Sequence, residues 1–95
     1  MIFTWHPPKA ARNLKDHGVS FEEARTVFDD PLYQVWCDDL HSFDEARYYC
    51  IGQSAQGRWL TISYTERGED RIHLISAREA TRREKKRYES SDDLT

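Results

Sequence analysis

The feature that most constrains the fold is a series of three apolar, β-branched and aromatic segments in the second half of the chain. They cover residues 46–52, 58–65 and 71–77, and the turns between them contain Gly57 and Gly68. The last two segments alternate apolar and polar residues, as strands with one buried face do. Strands that follow one another every ~12 residues with short turns pair as an antiparallel meander.

The first half of the chain predicts two helices between strands. Residues 2–5 are aromatic and β-branched and predict a first strand. A helix is expected from Pro7 to Gly18, because proline suits a first helical turn and glycine suits a helix end. Ser20 and Glu23 have the spacing of a capping box, so a second helix begins there and ends before Pro31. Residues 32–37 predict the next strand.

The chain closes with a basic helix. Its start is predicted at Thr81, which forms a T-x-x-E box with Glu84, although Ser76 with Glu79 offers a second box.

The resulting order of elements, β-α-α-β-β-β-β-α, predicts an α+β domain. It has a mostly antiparallel sheet of about five strands, two N-terminal helices on one face and a short basic C-terminal helix. A chain of 95 residues supports one domain, placed at 1–90, with a polar C-terminal tail at 91–95.

Charge is distributed unevenly along the chain. Residues 1–45 hold four Lys or Arg against nine Asp or Glu, whereas residues 46–88 hold ten against five. The whole chain nevertheless has a net charge of -3. This asymmetry indicates a local anionic partner for the basic part and argues against sequence-independent coating of DNA.

Several classes of protein are not favoured. No apolar run approaches the roughly 18 residues of a membrane span, and no signal-peptide pattern precedes residue 13, so a cytoplasmic protein is expected. The histidines lack the spacing of a metal site, and neither a metal nor another cofactor is predicted. Cys37 and Cys50 lie in apolar segments without CxxC spacing and are expected to be two buried thiols.

The predicted sheet leaves one face free of the N-terminal helices, and four arginines fall on its strands and turns. The planar guanidinium group keeps its charge and matches phosphate geometry. Each arginine could also be a solvated residue paired with a nearby carboxylate. The four are Arg47, Arg67, Arg71 and Arg78.

Aromatic residues are interleaved with these arginines. Aromatic faces beside cations suit unpaired bases, at about 1–3 kcal/mol per stacked base, but aromatic residues are equally typical of strand cores. The residues concerned are Tyr48, Tyr49, Trp59 and Tyr64.

Cleavage of RNA without a metal requires a base for the 2′-hydroxyl, positive charge near the phosphate and an acid for the departing 5′-oxygen. Arg47, Arg71 and Arg78 are candidates for the charge. Candidates for the base are Glu45, Glu66, His17 and His73, and those for the acid are His73 and Tyr88. Spacing alone does not choose among them.

Four short motifs in order resemble the BrnT toxins of bacterial type II toxin–antitoxin systems. They are K-x-H-G-V-S-F-E-E-A at 15–24, V-F-D-D-P at 27–31, T-E-R-G at 65–68 and I-S-A-R at 75–78. The resemblance implies a RelE-like fold and a ribonuclease that inhibits translation. It also implies a ribbon-helix-helix antitoxin of the BrnA type, in a heterotetramer that contacts DNA only through the antitoxin.

The resemblance also bears on the site residues. It implies that Arg47, Arg67, Arg71 and Arg78 contribute charge to an RNA site, together with Tyr88. His6 and His73 depart from the family pattern, since an acidic and a basic residue respectively are expected there. The complete predicted site has catalytic residues Arg47, Glu66, Arg71, His73 and Arg78, and RNA-binding residues Tyr64, Arg67, Arg82, Arg83 and Tyr88.

Two other functions fit the sequence. A non-catalytic nucleic-acid-binding module would show salt-dependent affinity without cleavage. A partner-binding protein whose basic helix docks an acidic surface would depend on the helix instead, through Arg82, Arg83, Lys86 and Arg87.

Overall fold

The computed structural model describes residues 1–42 and 45–93, with side chains through residue 90. Residues 43 and 44 of the predicted acidic loop, and residues 94 and 95 of the predicted tail, lie outside the described part. The strands are β1 (Ile2–Thr4), β2 (Gln34–Cys37), β3 (Arg47–Gln53), β4 (Trp59–Glu66) and β5 (Arg71–Glu79). The helices are α1 (Pro7–His17), α2 (Phe21–Arg25) and α3 (Arg82–Asp93), and a 3-10 turn (Thr26–Asp29) follows α2.

The strands form one mixed sheet in the order β1-β5-β4-β3-β2. Strands β2 to β5 make the predicted antiparallel meander, and β1 adds to β5 in parallel. The predicted α+β class, mostly antiparallel sheet and number of strands are therefore confirmed.

The helix ends follow the predicted local chemistry. Gly18 ends α1 with φ 69°, a left-handed conformation that glycine adopts without steric cost. The Ser20 hydroxyl accepts a hydrogen bond from the Glu23 N–H at 3.0 Å. At α3, the Thr81 N–H donates to the Glu84 carboxylate, and the Glu84 N–H donates to the Thr81 hydroxyl. The capping box at Thr81 is therefore confirmed, whereas at Ser20 only the N-cap hydrogen bond forms, because the Glu23 carboxylate binds Ser54 and Arg58 instead.

One face of the sheet, here called the core face, is covered by α2 and the 3-10 turn. Phe28 of the 3-10 turn packs against Phe3, Tyr33 and Tyr64, with ring centroids 5.2–5.6 Å apart. The buried cluster comprises Val19, Phe21, Ala24, Val27, Cys50, Leu60, Ile62, Tyr64, Ile72, Leu74 and Ala77.

The opposite face, here called the outer face, is not entirely free, which corrects the expectation from the sequence. Helix α3 packs across one half of it. The Tyr88 ring meets Trp59 edge to face at 4.8 Å, and the Arg87 guanidinium lies 3.9 Å from the centroid of Trp36. The α3 helix also runs to Asp93, beyond the predicted domain boundary at residue 90.

A bulge opposite Ser63 and Tyr64 changes which way the end of β5 faces. Ser76 pairs with Ser63 and Leu74 pairs with Tyr64, so Ile75 is the extra residue. Ser76 therefore shares the outer face with His73, rather than the side of Leu74 as strict alternation predicts. Because β5 continues to Glu79, the alternative capping box at Ser76 does not form.

Two further expectations need correction. The strand predicted from residue 32 begins at Gln34, because the Asp30 carboxylate accepts a hydrogen bond from the Leu32 N–H and holds a turn there. Only Cys50 is a buried thiol, and burial raises its pKa to about 12. Cys37 is exposed, with its Sγ 3.2 Å from the Asp39 carboxylate.

Candidate active site

The half of the outer face that α3 leaves uncovered is lined by polar side chains, and is here called the polar half. One row of directly paired residues crosses four strands: Thr4 opposite His73, His73 opposite Thr65, and Thr65 opposite Arg47. Directly paired residues present their side chains on the same face of a sheet. Ser63 and Ser76 form a second directly paired position on the same face.

At the centre of this row lies a hydroxyl without a partner. Thr65 is 1% exposed, and its Oγ1 has no hydrogen bond within the described part of the chain. Buried hydroxyl groups are nearly always paired, because leaving one unpaired costs about 1–3 kcal/mol. The hydroxyl lies in the row between Arg47 and His73, whose side chains are less buried.

Two cations lie near this row and come from different elements. Arg47 comes from β3, and Lys9 comes from the first turns of α1. The pKa of Lys9 is lowered, first by partial burial and then by repulsion from Arg47 and Arg12. Cations held together in this way are stabilised when an anion is bound between them.

His73 completes the group. Its Nδ1 lies 2.8 Å from the Thr4 hydroxyl oxygen. The pKa of His73 is lowered, first by burial and then by Arg67, with Glu45 acting in the opposite sense. The imidazole is consequently neutral near pH 7 and can accept a proton.

An ion pair lies at the edge of the polar half. Arg67, in the turn after β4, donates to the Glu45 carboxylate at 3.0 Å, and this hydrogen bond lowers the pKa of Glu45. Both side chains are about half exposed. Arg67 is therefore close to the predicted site but already has a counter-ion.

Arg71 and Glu66 are further from the row. Arg71 lies on the outer face two residues before His73, where it pairs with Ile2 and is exposed. Glu66 pairs with Ile72 and so points toward the core-face side of the sheet, away from Arg47 and His73. Glu66 is thus not placed to act as a base beside them.

Arg78 lies on the outer face but is held by α3. Its Nη1 and Nη2 donate to the two oxygens of Glu84 at 2.7 and 2.9 Å. Thr61 and the Thr81 N–H also donate to Glu84, whose pKa falls to about 2, chiefly because of Arg78. Arg82 and Arg83 are exposed on the same helix.

Both predicted tyrosines are structural. Tyr64 is 3% exposed on the core face and stacks on Tyr48, so no ring face is available to a base, and burial raises the pKa of its hydroxyl. Tyr88 is 5% exposed between α3 and Trp59, and its hydroxyl donates to the Asp30 carboxylate at 3.1 Å. Their predicted roles in binding RNA or donating a proton stay predictions, and the structure places both side chains in buried contacts.

Sequence reasoning missed Thr4, Lys9 and Thr65. The hydroxyl residues Thr61, Ser63 and Thr65 alternate with apolar residues along β4, and this pattern could have indicated a polar row on one face. Lys9 could not be identified from the sequence, because its position near the site depends on how α1 crosses the end of the sheet.

No cluster of three or more His, Cys, Asp or Glu suitable for a metal occurs in the described ranges. None of the described helices combines the length and hydrophobicity needed to span a membrane.

Comparison with known families identifies the class of protein. Residues 5–84 match the family model described as the ribonuclease toxin, BrnT, of type II toxin–antitoxin systems. The chain belongs to the BrnT family. The match begins directly after β1 and runs into the start of α3, so it includes every element that contributes to the polar half except β1, which carries Thr4. The family is one of ribonuclease toxins, which agrees with the toxin class expected from the four motifs.

The fold agrees with a solved BrnT structure. The crystal structure of the ribonuclease toxin BrnT from Brucella abortus superposes with a TM-score of 0.67 at 19% sequence identity. The match covers 86% of this chain and 100% of that one. No curated protein sequence matches the chain. At this identity the structural likeness establishes the BrnT fold, while the residues of the site follow from this chain alone.

Proposed function

We propose that this BrnT-family chain is an endoribonuclease that cleaves RNA without a metal ion at the polar half of the outer face. The observation that supports it is that Arg47 and His73 share one row of the outer face, with Lys9 close enough to both for electrostatic interaction. Fixed cations beside a phosphate stabilise the charge of its transition state. Cleavage of cytoplasmic RNA in this way inhibits translation.

The proposed chemistry is an in-line attack of the RNA 2′-oxygen on the adjacent phosphorus. His73 accepts the proton of the 2′-hydroxyl as the P–O2′ bond forms. Lys9 donates a proton to the 5′-oxygen as the P–O5′ bond breaks, and Arg47 stabilises the negative charge on the non-bridging oxygens. The products are a 2′,3′-cyclic phosphate and a 5′-hydroxyl.

The remaining cations have a secondary role in this proposal. Arg67 and Arg71 contact neighbouring phosphates of the bound strand, and Arg82 and Arg83 extend the cationic surface along α3. Arg78 supports the site indirectly, because its two hydrogen bonds to Glu84 hold α3 on the sheet.

The partner in this proposal is an antitoxin of the BrnA type, with a ribbon-helix-helix fold, in a heterotetramer. A type II antitoxin is a protein, and one that covers the polar half excludes RNA directly. DNA is contacted only through that antitoxin.

The deciding experiment is cleavage of end-labelled single-stranded RNA in EDTA by the antitoxin-free protein. We expect wild type to cut and Arg47→Gln to lose about 100-fold in rate, the usual cost of removing a charge-stabilising donor. Arg25→Gln is the matched control, because Arg25 is exposed on α2, which covers the core face. We expect it to cut like wild type.

Two results would overturn parts of the proposal. Loss of cleavage on chelation, restored by magnesium, contradicts the metal-free chemistry. Salt-sensitive RNA binding that Arg47→Gln weakens, with no cleavage by wild type even when ribosomes are added, indicates a non-catalytic binding module.

A further inference from the structure

The hydrogen bond between Thr4 and His73 joins the neighbouring strands β1 and β5 at one edge of the sheet. The two residues are direct partners in the parallel pairing of β1 and β5, although 69 positions separate them in sequence. Both side chains are half-buried, and the Thr4 Oγ1 to His73 Nδ1 distance is 2.8 Å. The register of β1 therefore fixes where the Thr4 hydroxyl meets the imidazole.

This contact determines which nitrogen of His73 is available to a ligand. An imidazole ring has two nitrogens, and the neutral ring carries a proton on only one of them. Nδ1 is occupied by Thr4, and His73 has no second hydrogen-bond partner within the described ranges. Nε2 is the nitrogen left for substrate.

We propose that Thr4 is a positioning residue: its hydroxyl accepts the Nδ1 proton of His73 and thereby keeps the Nε2 lone pair free for the RNA 2′-hydroxyl. This inference rests on the proposed function, since it assigns Thr4 a part in the same reaction. It assigns no contact between Thr4 and RNA.

The charges around His73 explain why a hydrogen bond from Nδ1 to Thr4 would assist the reaction. Arg67, Lys9 and His6 disfavour the imidazolium, Glu45 favours it, and Arg47 stands one row position beyond Thr65. Burial makes the largest contribution to the lowered pKa. The imidazolium that forms when His73 accepts a proton is therefore poorly supported by its surroundings. A charge-assisted hydrogen bond from Nδ1 to Thr4 strengthens at that moment and stabilises it.

The substitutions Thr4→Val and Thr4→Ser separate the hydroxyl from the shape of the side chain. Valine keeps the β-branched form that suits β1 and removes only the hydrogen-bonding group. Serine keeps the hydroxyl and removes a methyl group. Both are compared with wild type by circular dichroism, so that a folding defect is recognised independently.

The first readout is the ring itself, through ¹⁵N NMR of His73 in the intact protein. Wild type and Thr4→Ser are expected to carry the proton on Nδ1. Thr4→Val is expected to show a mixture of the two neutral forms and a His73 pKa lower than in wild type, because the imidazolium loses an acceptor. An unchanged proton position and pKa in Thr4→Val overturns the proposal.

The second readout is cleavage of single-stranded RNA as a function of pH. Thr4→Val is expected to be ~10-fold slower, since mispositioning a general base forfeits part of its ~10²–10⁴-fold contribution. The acidic limb of the Thr4→Val pH profile is expected to shift to lower pH together with the His73 pKa. The affinity of Thr4→Val for an uncleavable 2′-O-methyl RNA should stay within about 2-fold of the wild-type affinity, because Thr4 does not touch RNA. Thr4→Ser restores the rate. A rate in Thr4→Val equal to wild type overturns the proposal.

The two readouts distinguish the failure of each idea. If wild type does not cut RNA, the proposed function fails, and the catalytic part of the inference fails with it. If wild type and His73→Gln both cut RNA, His73 is not the general base. If His73→Gln is inactive but Thr4→Val cuts like wild type, only the positioning role of Thr4 is wrong.

Discussion

The side-chain amide of Asn13 binds both backbone groups of Ala77. Asn13 Nδ2 donates to the Ala77 carbonyl oxygen at 2.8 Å, and the Ala77 N–H donates to Asn13 Oδ1 at 3.1 Å. β1 pairs only with Arg71–His73, so the later part of β5 has no neighbouring strand on the side away from β4. Asn13 of α1 supplies hydrogen-bond partners for the backbone on that side. The same contact fixes α1, which carries Lys9, against the sheet.

Replacing Asn13 by alanine should therefore cost much more than an ordinary helix substitution. Asn13 is 6% exposed, and Asn13→Ala leaves the Ala77 N–H and carbonyl without their partner, at ~2–3 kcal/mol of unfolding free energy. Leu14→Ala is the control, because Leu14 is 52% exposed on the same helix and should cost below ~1 kcal/mol. Urea unfolding measures both, and equal effects would contradict this account of the sheet edge.

Gly52 is a second position where a small change is expected to be costly. A Cβ at this position would lie 2.8 Å from Val27 Cγ1 and 3.0 Å from Tyr33 Cβ. Gly52→Ala should lower the free energy of unfolding by about 1–3 kcal/mol through overpacking. Combining it with Val27→Ala removes the clashing methyl, so the double variant should be more stable than the sum of the single effects predicts. Simple additivity would argue against the clash.

The contribution of the contact between α3 and the sheet to the free energy of unfolding should depend on pH, because this contact includes the carboxylate of Glu84. Its pKa is lowered from 4.5 to about 2 in the folded protein, so its contribution is complete above pH 4.5 and is lost as the pH falls toward 2. Glu84→Gln should cost ~1–2 kcal/mol at neutral pH, discounted because Arg78 is partly exposed to solvent. The difference from wild type should vanish in acid. Denaturant unfolding at several pH values tests this, and a constant difference would exclude the ion pair as its source.

Binding of RNA to the polar half should weaken with salt. For single strands, log K falls by ~0.7 per log unit of salt for each phosphate that is neutralised. Arg47→Gln should lower that slope by about 0.7, whereas Arg25→Gln should leave it unchanged. Titration of a labelled 2′-O-methyl RNA at increasing potassium chloride measures the slopes. Equal slopes for Arg47→Gln and wild type would place the bound phosphate elsewhere.

The proposed role of Lys9 as a general acid predicts a decline of the cleavage rate at high pH. Its proton is lost as the pH rises through its pKa, which burial and Arg47 lower from 10.5, so cleavage should decline on the alkaline side below that value. Arginine stays protonated, so Lys9→Arg should be slower, by ~10²-fold for a lost general acid, and should lack this decline. A pH–rate profile of both proteins checks this. A decline that persists in Lys9→Arg would assign the acid to another group.

Local chemistry in the sequence predicted the framework well. The Ser20 and Thr81 caps, the Gly18 helix end and the antiparallel meander of β2 to β5 depend on residues close together in sequence, and they are confirmed. The family assignment from short motifs is confirmed for the same reason, since it used local stretches read in order.

The site was harder to predict because it depends on contacts between distant segments. The sequence placed Arg47 and His73 on strands of one sheet, but nothing local shows that α3 crosses the outer face and binds Arg78 through Glu84. Tyr88 looked available for the same reason. The bulge opposite Ser63 and Tyr64 reversed the expected direction of Ser76, and one inserted residue leaves no mark in the hydropathy pattern.

The meeting of Thr4 with His73 also has a consequence for a chain that is still being synthesised. The N-terminal half leaves the ribosome first, and β1 has no partner until residues 71–73 have emerged. An unfinished chain then contains Lys9 and Arg47 without the imidazole and without the helix contact at Ala77. Prematurely terminated products ending before β5 should accordingly be harmless to the cell that makes them, and toxicity should appear only when translation has nearly reached its end.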